Sequence, residues 1–135
     1  MFDPQEDVVN SAALMSAFGP WPSFHDAEVA SIVLRRGPQK PSLECVIHVF
    51  EMTSDVDERG NFVLRNHVLV TLRFDDIVLN RLDGFNHQNA IDGLSIRRSE
   101  HGDGRFSVEI PPNYGCDVSL TCGSIEVAGV EPWLG

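Results

Sequence analysis

Long apolar runs are missing from this chain of 135 residues. The nearest to one, Val29–Leu34, is broken by Ser31, and a membrane-spanning helix needs about twenty apolar residues. No membrane association is expected. Basic residues are missing from both ends. Residues 1–34 carry Asp3, Glu6, Asp7, Asp26 and Glu28 with no Lys or Arg, and residues 106–135 carry Glu109, Asp117, Glu126 and Glu131, again with none. All 10 Lys and Arg lie in the middle of the chain, and the net charge is −10. If the two ends meet in space, they form one negative surface. Such a field repels phosphate backbones and attracts basic partners, so direct nucleic-acid binding is disfavoured. The start Met1–Asp7 lacks a basic residue and an apolar run, so no secretory signal is expected.

Cysteine is scarce. Cys45, Cys116 and Cys122 are an odd number, and no pair has Cys-x-x-Cys spacing. A disulfide framework, a zinc knuckle and a thioredoxin-type motif are therefore not expected. Cys45 alternates with Leu43, Ile47 and Val49 as a buried strand residue does. The expectation is three inert thiols in a reducing cytoplasm. Nucleophile and phosphate motifs are also lacking: there is no Gly-x-Ser-x-Gly and no Gly-rich loop before a helix.

Hydrophobic residues make up 42% and charged residues 22%, which suits an ordered chain able to bury one core. A single domain over residues 1–135 is expected. The N-terminal segment reads as a helix over about 4–18. Asp3 serves as cap, Pro4 suits the first position, Glu6 completes a capping-box-like spacing, and Val8, Ala12 and Met15 share a face. Gly19 and Pro20 end it. Pro20 and Pro22 hold the following stretch extended. From residue 28 to 131 the pattern is β. Strands are expected over Val29–Arg36, Leu43–Met52, Phe62–Phe74, Asp75–Leu82, Ala90–Arg98 and Phe106–Ile110. Thr53–Gly60 is the loop of a hairpin, and Val118–Cys122 and Ile125–Val130 form another around Gly123-Ser124. The fold class is α+β: one N-terminal helix followed by a mainly antiparallel sheet of about six or seven strands.

Three places attract chemical attention. His25-Asp26 pairs a titratable ring with a carboxylate, the makings of a general base or a metal ligand, but adjacent side chains of an extended segment point apart. Asn86-His87-Gln88-Asn89 follows Gly84-Phe85 and offers donors and acceptors that pin a loop or contact a ligand. The turn Glu51–Glu58 carries Glu51, Asp55, Asp57 and Glu58. Asp55-x-Asp57 opens like a calcium loop, but the rest of that pattern does not follow. A solvated tip or an acidic contact for a basic partner remains. His48 reads as a structural strand residue, and His67 and His101 as surface residues. No His/Cys/Asp/Glu spacing points to a metal.

Together the motifs carry a resemblance. Gly19-Pro20-Trp21-Pro22-Ser23-Phe24-His25-Asp26-Ala27-Glu28-Val29 resembles the N-terminal signature of the immunity protein 50 family. Gly84-Phe85-Asn86-His87-Gln88-Asn89 resembles its second motif. Gly115-Cys116-Asp117, Ile125-Glu126-Val127 and Val130-Glu131-Pro132 resemble its C-terminal pattern, so about residues 10–132 are covered. The resemblance implies a protein of bacterial polymorphic toxin systems that binds a cognate toxin domain in the cytoplasm of the producing cell and blocks it. It implies no catalytic residue, cofactor or metal.

The candidate partner-contact or motif residues are Trp21, His25, Asp26, Glu28, Asp55, Asp57, Glu58, Asn86, His87, Gln88 and Asn89. The partner expected is a protein toxin, basic if the acidic field steers association. A tight inhibitor also needs a desolvated aromatic anchor. Trp21, Phe24 and Phe85 are the candidates, with burial expected for Phe24 and Phe85. Two other classes compete. One is a small hydrolase or metal-dependent enzyme built on His25, Asp26 and His87. The other is a non-catalytic accessory subunit, a homodimer paired through an exposed sheet edge.

Overall fold

A computed structural model describes residues 1–135. Strand takes 55% of the chain and helix 9%, so the molecule is sheet-dominated rather than one helix followed by one sheet. Two short helices, α1 (Pro4–Asp7) and α2 (Ser11–Phe18), flank a two-residue strand β1 (Val8–Val9). The remaining strands are β2 (Glu28–Arg35), β3 (Ser42–Val56), β4 (Phe62–Asp75), β5 (Val78–Asp83), β6 (Ala90–Ile91), β7 (Ser95–Arg98), β8 (Phe106–Ile110), β9 (Pro112–Tyr114), β10 (Asp117–Cys122) and β11 (Ser124–Pro132). They form a seven-stranded sheet in the order β1-β11-β4-β3-β2-β6-β9 and a four-stranded sheet in the order β5-β10-β8-β7.

The alternation read from the sequence places the core. Leu43, Cys45, Ile47 and Val49 of β3 lie opposite Phe74, Leu72, Val70 and Val68 of β4. Side chains of successive strand residues point to opposite faces, so these line one face. That face meets Val108, Ile110, Val118 and Leu120 of the smaller sheet and Leu14 of α2 in a single cluster of 23 buried residues.

The expected N-terminal helix is broken. Val8 and Val9 pair in parallel with Ile125 and Glu126. Asn10 follows at φ 62° and donates its side-chain amide to the Val127 carbonyl at 3.0 Å. Pairing two β-branched residues beside the core outweighs continuing a helix, and Asn tolerates the left-handed turn this needs. The helical face shifts accordingly: Ser11 and Leu14 are buried, while Ala12 is exposed. Asp3 caps α1 as expected. The carboxylate that reaches back to its N–H belongs to Asp7, at 2.8 Å, rather than to Glu6.

The other departures arise where the chain changes sheet. β10 and β11 are not a hairpin but lie in different sheets, joined at Gly123. Asp76 joins β4 to β5 in the same way. The two corners touch: a side chain at Gly123 would meet the Asp76 side chain at 3.1–3.2 Å. Arg105 holds the Asp76 corner, donating to the Asp76 carboxylate at 3.0 Å and to its carbonyl at 2.9 Å. Ala90–Arg98, expected as one strand, likewise divides into β6 and β7 on opposite sheets. The short strand expected in Asp75–Leu82 is present as β5. The hairpin of β3 and β4 is also present, but its strands run on to Val56 and from Phe62, leaving only Asp57–Asn61 as the turn.

Phe24 is buried at 2% exposure, as expected, whereas Phe85 is 49% exposed. Phe85 lies with Ile32, Leu34 and Leu82 along the open side between β2 and β5, where the two sheets are not closed by hydrogen bonds. Phe24→Ala is expected to lower stability by about 3–5 kcal/mol and Phe85→Ala by under about 1 kcal/mol in denaturant titrations. Equal losses would show that Phe85 belongs to the core.

Candidate functional site

The two sequence motifs meet. Phe24 and Asp26 both have positive φ, 61° and 62°, so the segment after Pro22 turns back on itself instead of running extended. The turn brings His25 and Asp26 to the same side, against the sequence expectation: His25 Nε2 lies 3.5 Å from Asp26 Oδ2. The Asp92 carbonyl, 3.0 Å from His25 Nδ1, fixes the tautomer, because a carbonyl only accepts. Asp26 accepts from the Asn113 side chain at 2.7 Å, and its N–H donates to the Ile91 carbonyl at 2.9 Å.

Asn89 is the centre of the second motif. It is 3% exposed, and it ties three segments together. Its N–H donates to Glu28 Oε1 at 2.9 Å, and its carbonyl accepts from the Val29 N–H at 3.0 Å. Its side-chain oxygen accepts from the Asn86 N–H at 2.9 Å, and its side-chain amide donates to the Asn86 carbonyl at 2.8 Å. Gly115 packs directly on it. With φ at +92°, a side chain there would run into Asn89 Oδ1 at 2.6 Å and the Gln88 carbonyl. Asn86 caps the loop through the Gly84 carbonyl and the Gln88 N–H. Glu28, Asn86 and Asn89 therefore pin a loop.

Of the residues grouped for chemistry, His25 and Asp26 meet, and His87 is not bonded to them. Gln88 and His87 are exposed. His87 packs edge-on to Tyr114 at 6.4 Å, and no side-chain hydrogen bond or ion pair joins it to His25 or Asp26. No three His, Cys, Asp or Glu side chains gather as metal ligands do. All three cysteines are buried and unpaired. Burial pushes the thiols of Cys45 and Cys122 up to about 12, so neither is a thiolate at neutral pH. Trp21 is half-buried between Phe2 and Phe24, at 6.3 and 5.7 Å.

One cluster escaped the sequence reading. His48 and His67 lie on neighbouring strands, with Nε2 and Nδ1 2.9 Å apart. Trp133 stacks on His48 at 4.1 Å, and Phe50 borders both rings. The strand alternation around His48 was legible, but its partner depends on the β3–β4 register and its cover on the path of the C-terminus.

The acidic ends of the chain meet through β1 and β11, yet they do not form one bare negative surface. Arginines from the middle reach out to them. Arg98 pairs with Glu6 and Asp7, Arg73 with Glu126, and Arg81 with Glu109 and Asp117. The Arg98 guanidinium holds the Asp7 carboxyl below its usual range. Asp55, Asp57 and Glu58, by contrast, enter no ion pair. Asp57 caps its own turn through the N–H groups of Arg59 and Asn61.

Two predictions follow from this geometry. Gly115→Ala is expected to cost about 2–4 kcal/mol in denaturant titrations, because it combines a clash with a left-handed backbone. Gly102→Ala, equally left-handed but facing open space, is expected to cost about 1–2 kcal/mol. Similar losses would remove the clash from the explanation. The second prediction concerns pH. Burial, then the neighbouring His67, holds His48 below its ordinary value, while Glu28 pulls the other way. The folded chain thus takes up this proton less readily than the unfolded one. Its contribution to stability is complete above about pH 6.5 and is lost as pH falls below that. His25 has the opposite sign. It is raised by the Asp92 carbonyl first and then by the charge of Asp26, so its contribution is present below about pH 6.5 and is lost as pH rises through the folded value. Its exposure keeps that contribution small. Tm is expected to rise between about pH 5 and about pH 7, and His48→Gln to flatten the rise. An unchanged slope in the variant would assign the dependence elsewhere.

No curated protein and no solved structure matches this chain. The model of the family described as Immunity protein 50 matches residues 10–133, nearly the whole length. The pinned loop of Glu28, Asn86 and Asn89 lies within the matched residues. The chain belongs to the immunity protein 50 family.

Proposed function

We propose that this protein is an inhibitor: it binds a cognate toxin domain in the bacterial cytoplasm and neutralises it without turnover. The observation that carries the reading is the family match over residues 10–133. The site geometry agrees with it. His25, Asp26 and Glu28 are spent on backbone and loop contacts, and His87 joins none of them, an arrangement that suits a scaffold better than a reacting centre. The net charge of −10 favours a basic partner by steering its approach, and Asp55 and Glu58, exposed and in no ion pair, are free to act in this way.

The test is a tagged pull-down from the native host, eluted stepwise with salt and identified by mass spectrometry. One stoichiometric partner, whose isolated activity is abolished by adding this protein, is the expected result. A partner whose activity persists in the complex would overturn inhibition. For that partner, Asp55→Lys with Glu58→Lys is expected to slow association about tenfold at low salt. Asp57 is left in place to keep the turn. An unchanged on-rate would remove the turn from the encounter.

A further inference from the structure

The β3–β4 ribbon outruns its neighbours. β2 leaves β3 at the pair Glu28↔His48, and β11 leaves β4 at Pro132↔Val68. Beyond those pairs only the Trp133 N–H still reaches the ribbon, donating to the His67 carbonyl at 3.4 Å, and the two strands continue to Val56 and Phe62 as an arm with no neighbouring strand at either edge. Asn66, at φ 57°, makes a bulge at its base. Glu51 clamps that bulge, accepting from Arg65 at 2.9 Å and from the Asn66 side chain at 2.7 Å.

The arm carries side chains that an unaccompanied ribbon has no use for. Met52 lies opposite Leu64 and Val56 opposite Phe62, and Phe62 and Leu64 share a face by the two-residue period of a strand. These four are 46%, 39%, 58% and 55% exposed in the order named. No residue from 50 to 67 is buried. A two-stranded ribbon is marginal by itself in water, and clustered exposed apolar side chains mark a contact surface. At its base, where β3 has lost β2, the open edge faces the Phe18–Ser23 segment. Phe18, Trp21, Pro22, Phe50 and Met52 line an open cavity of about 440 Å³ there, which is the size of a pocket that takes one or two large side chains.

We infer that the apolar face of this arm, together with the Trp21–Phe50–Met52 cavity, is the surface that docks a basic protein partner. This rests on the inhibitor reading for the partner's being a protein. The occupant follows from charge. The apolar face is flanked by Asp55, Asp57 and Glu58, none of them in an ion pair, with Arg59 as the one cation beside them; Arg65 is already held by Glu51. A second copy would bring two such acidic tips together, and each copy carries −10. A partner with Lys or Arg around a protruding aromatic or aliphatic side chain fits both the rim and the cavity.

The experiment is selection of a random 12-residue peptide library against the immobilised full chain at low salt. Enriched peptides are expected to carry net positive charge and an aromatic or Leu anchor. Phe62→Ser with Leu64→Ser is expected to weaken them at least tenfold without changing Tm, since neither residue is in the core. Asp55→Asn with Glu58→Gln is expected to weaken them at low salt and to matter less at high salt. Leu34→Ser, in the other exposed apolar groove, is expected to leave binding unchanged. Neutral or acidic consensus sequences, binding insensitive to the arm variants, or no enrichment would each overturn the inference. So would an arm-dependent dimer in sedimentation, which would make a second copy the occupant. The host pull-down separates the two levels. A partner recovered equally by wild type and the Phe62/Leu64 variant removes the arm and leaves the inhibitor reading standing. Peptides that dock on the arm, beside a host partner whose activity persists in the complex, support the arm and remove inhibition.

Discussion

Fifteen residues of β3 lie antiparallel to fourteen of β4, and the rest of the molecule is arranged by where the neighbours of this ribbon stop. Along its first half both outer edges are occupied, by β2 and β11, and its inner face is sealed by the smaller sheet and α2. Along its second half no strand pairs with it. One continuous element thus serves as the middle of the core and as a projection into solvent. Its own hydrogen bonds continue across that boundary, with Asn66 and Glu51 absorbing the change in register.

The smaller sheet is attached by corners rather than by hairpins. At Asp76 and Gly123 the chain leaves the large sheet and returns to it; the two corners pack on each other, and Arg105 bonds Asp76 from the smaller sheet's side. At the opposite end of the sheet, Asn89 gathers the segments around Glu28, Asn86 and Gly115. Polar groups at both places satisfy backbone that a regular ladder cannot reach. Asn89 is the buried member, and removing its side chain would leave the Asn86 N–H without its partner, which is costly inside a fold.

The β pattern was legible wherever residues alternate beside a core. The inner face of β3 and the last half of β4 are plain in Leu43–Val49 and Val68–Phe74, because burial on one face imposes a period of two. What the sequence could not convey was which sheet a strand joins. Val118–Cys122 and Ile125–Val130 look like a hairpin because the residues between them suit a turn; only the contact of Gly123 with Asp76 makes them a corner. Val8 resembled a helical residue because its partner, Ile125, lies at the far end of the chain. The site residues divide in the same way. The pinning roles of Asn86 and Asn89 were foreseeable from their donors and acceptors. The exposure of Phe85 and the meeting of His48 with His67 depended on long-range register.

The separation of arm from core has a consequence for how such a protein changes over generations. A substitution at Met52, Val56, Phe62 or Leu64 removes no packing from the body of the fold, so a lineage can alter what it recognises while leaving its capacity to fold intact. Residues such as Asn89 and Gly115 have no such freedom, because each is wedged against the backbone of another segment. Freedom and constraint are thereby assigned to different parts of the fold, the exposed arm and the pinned loop beside Glu28.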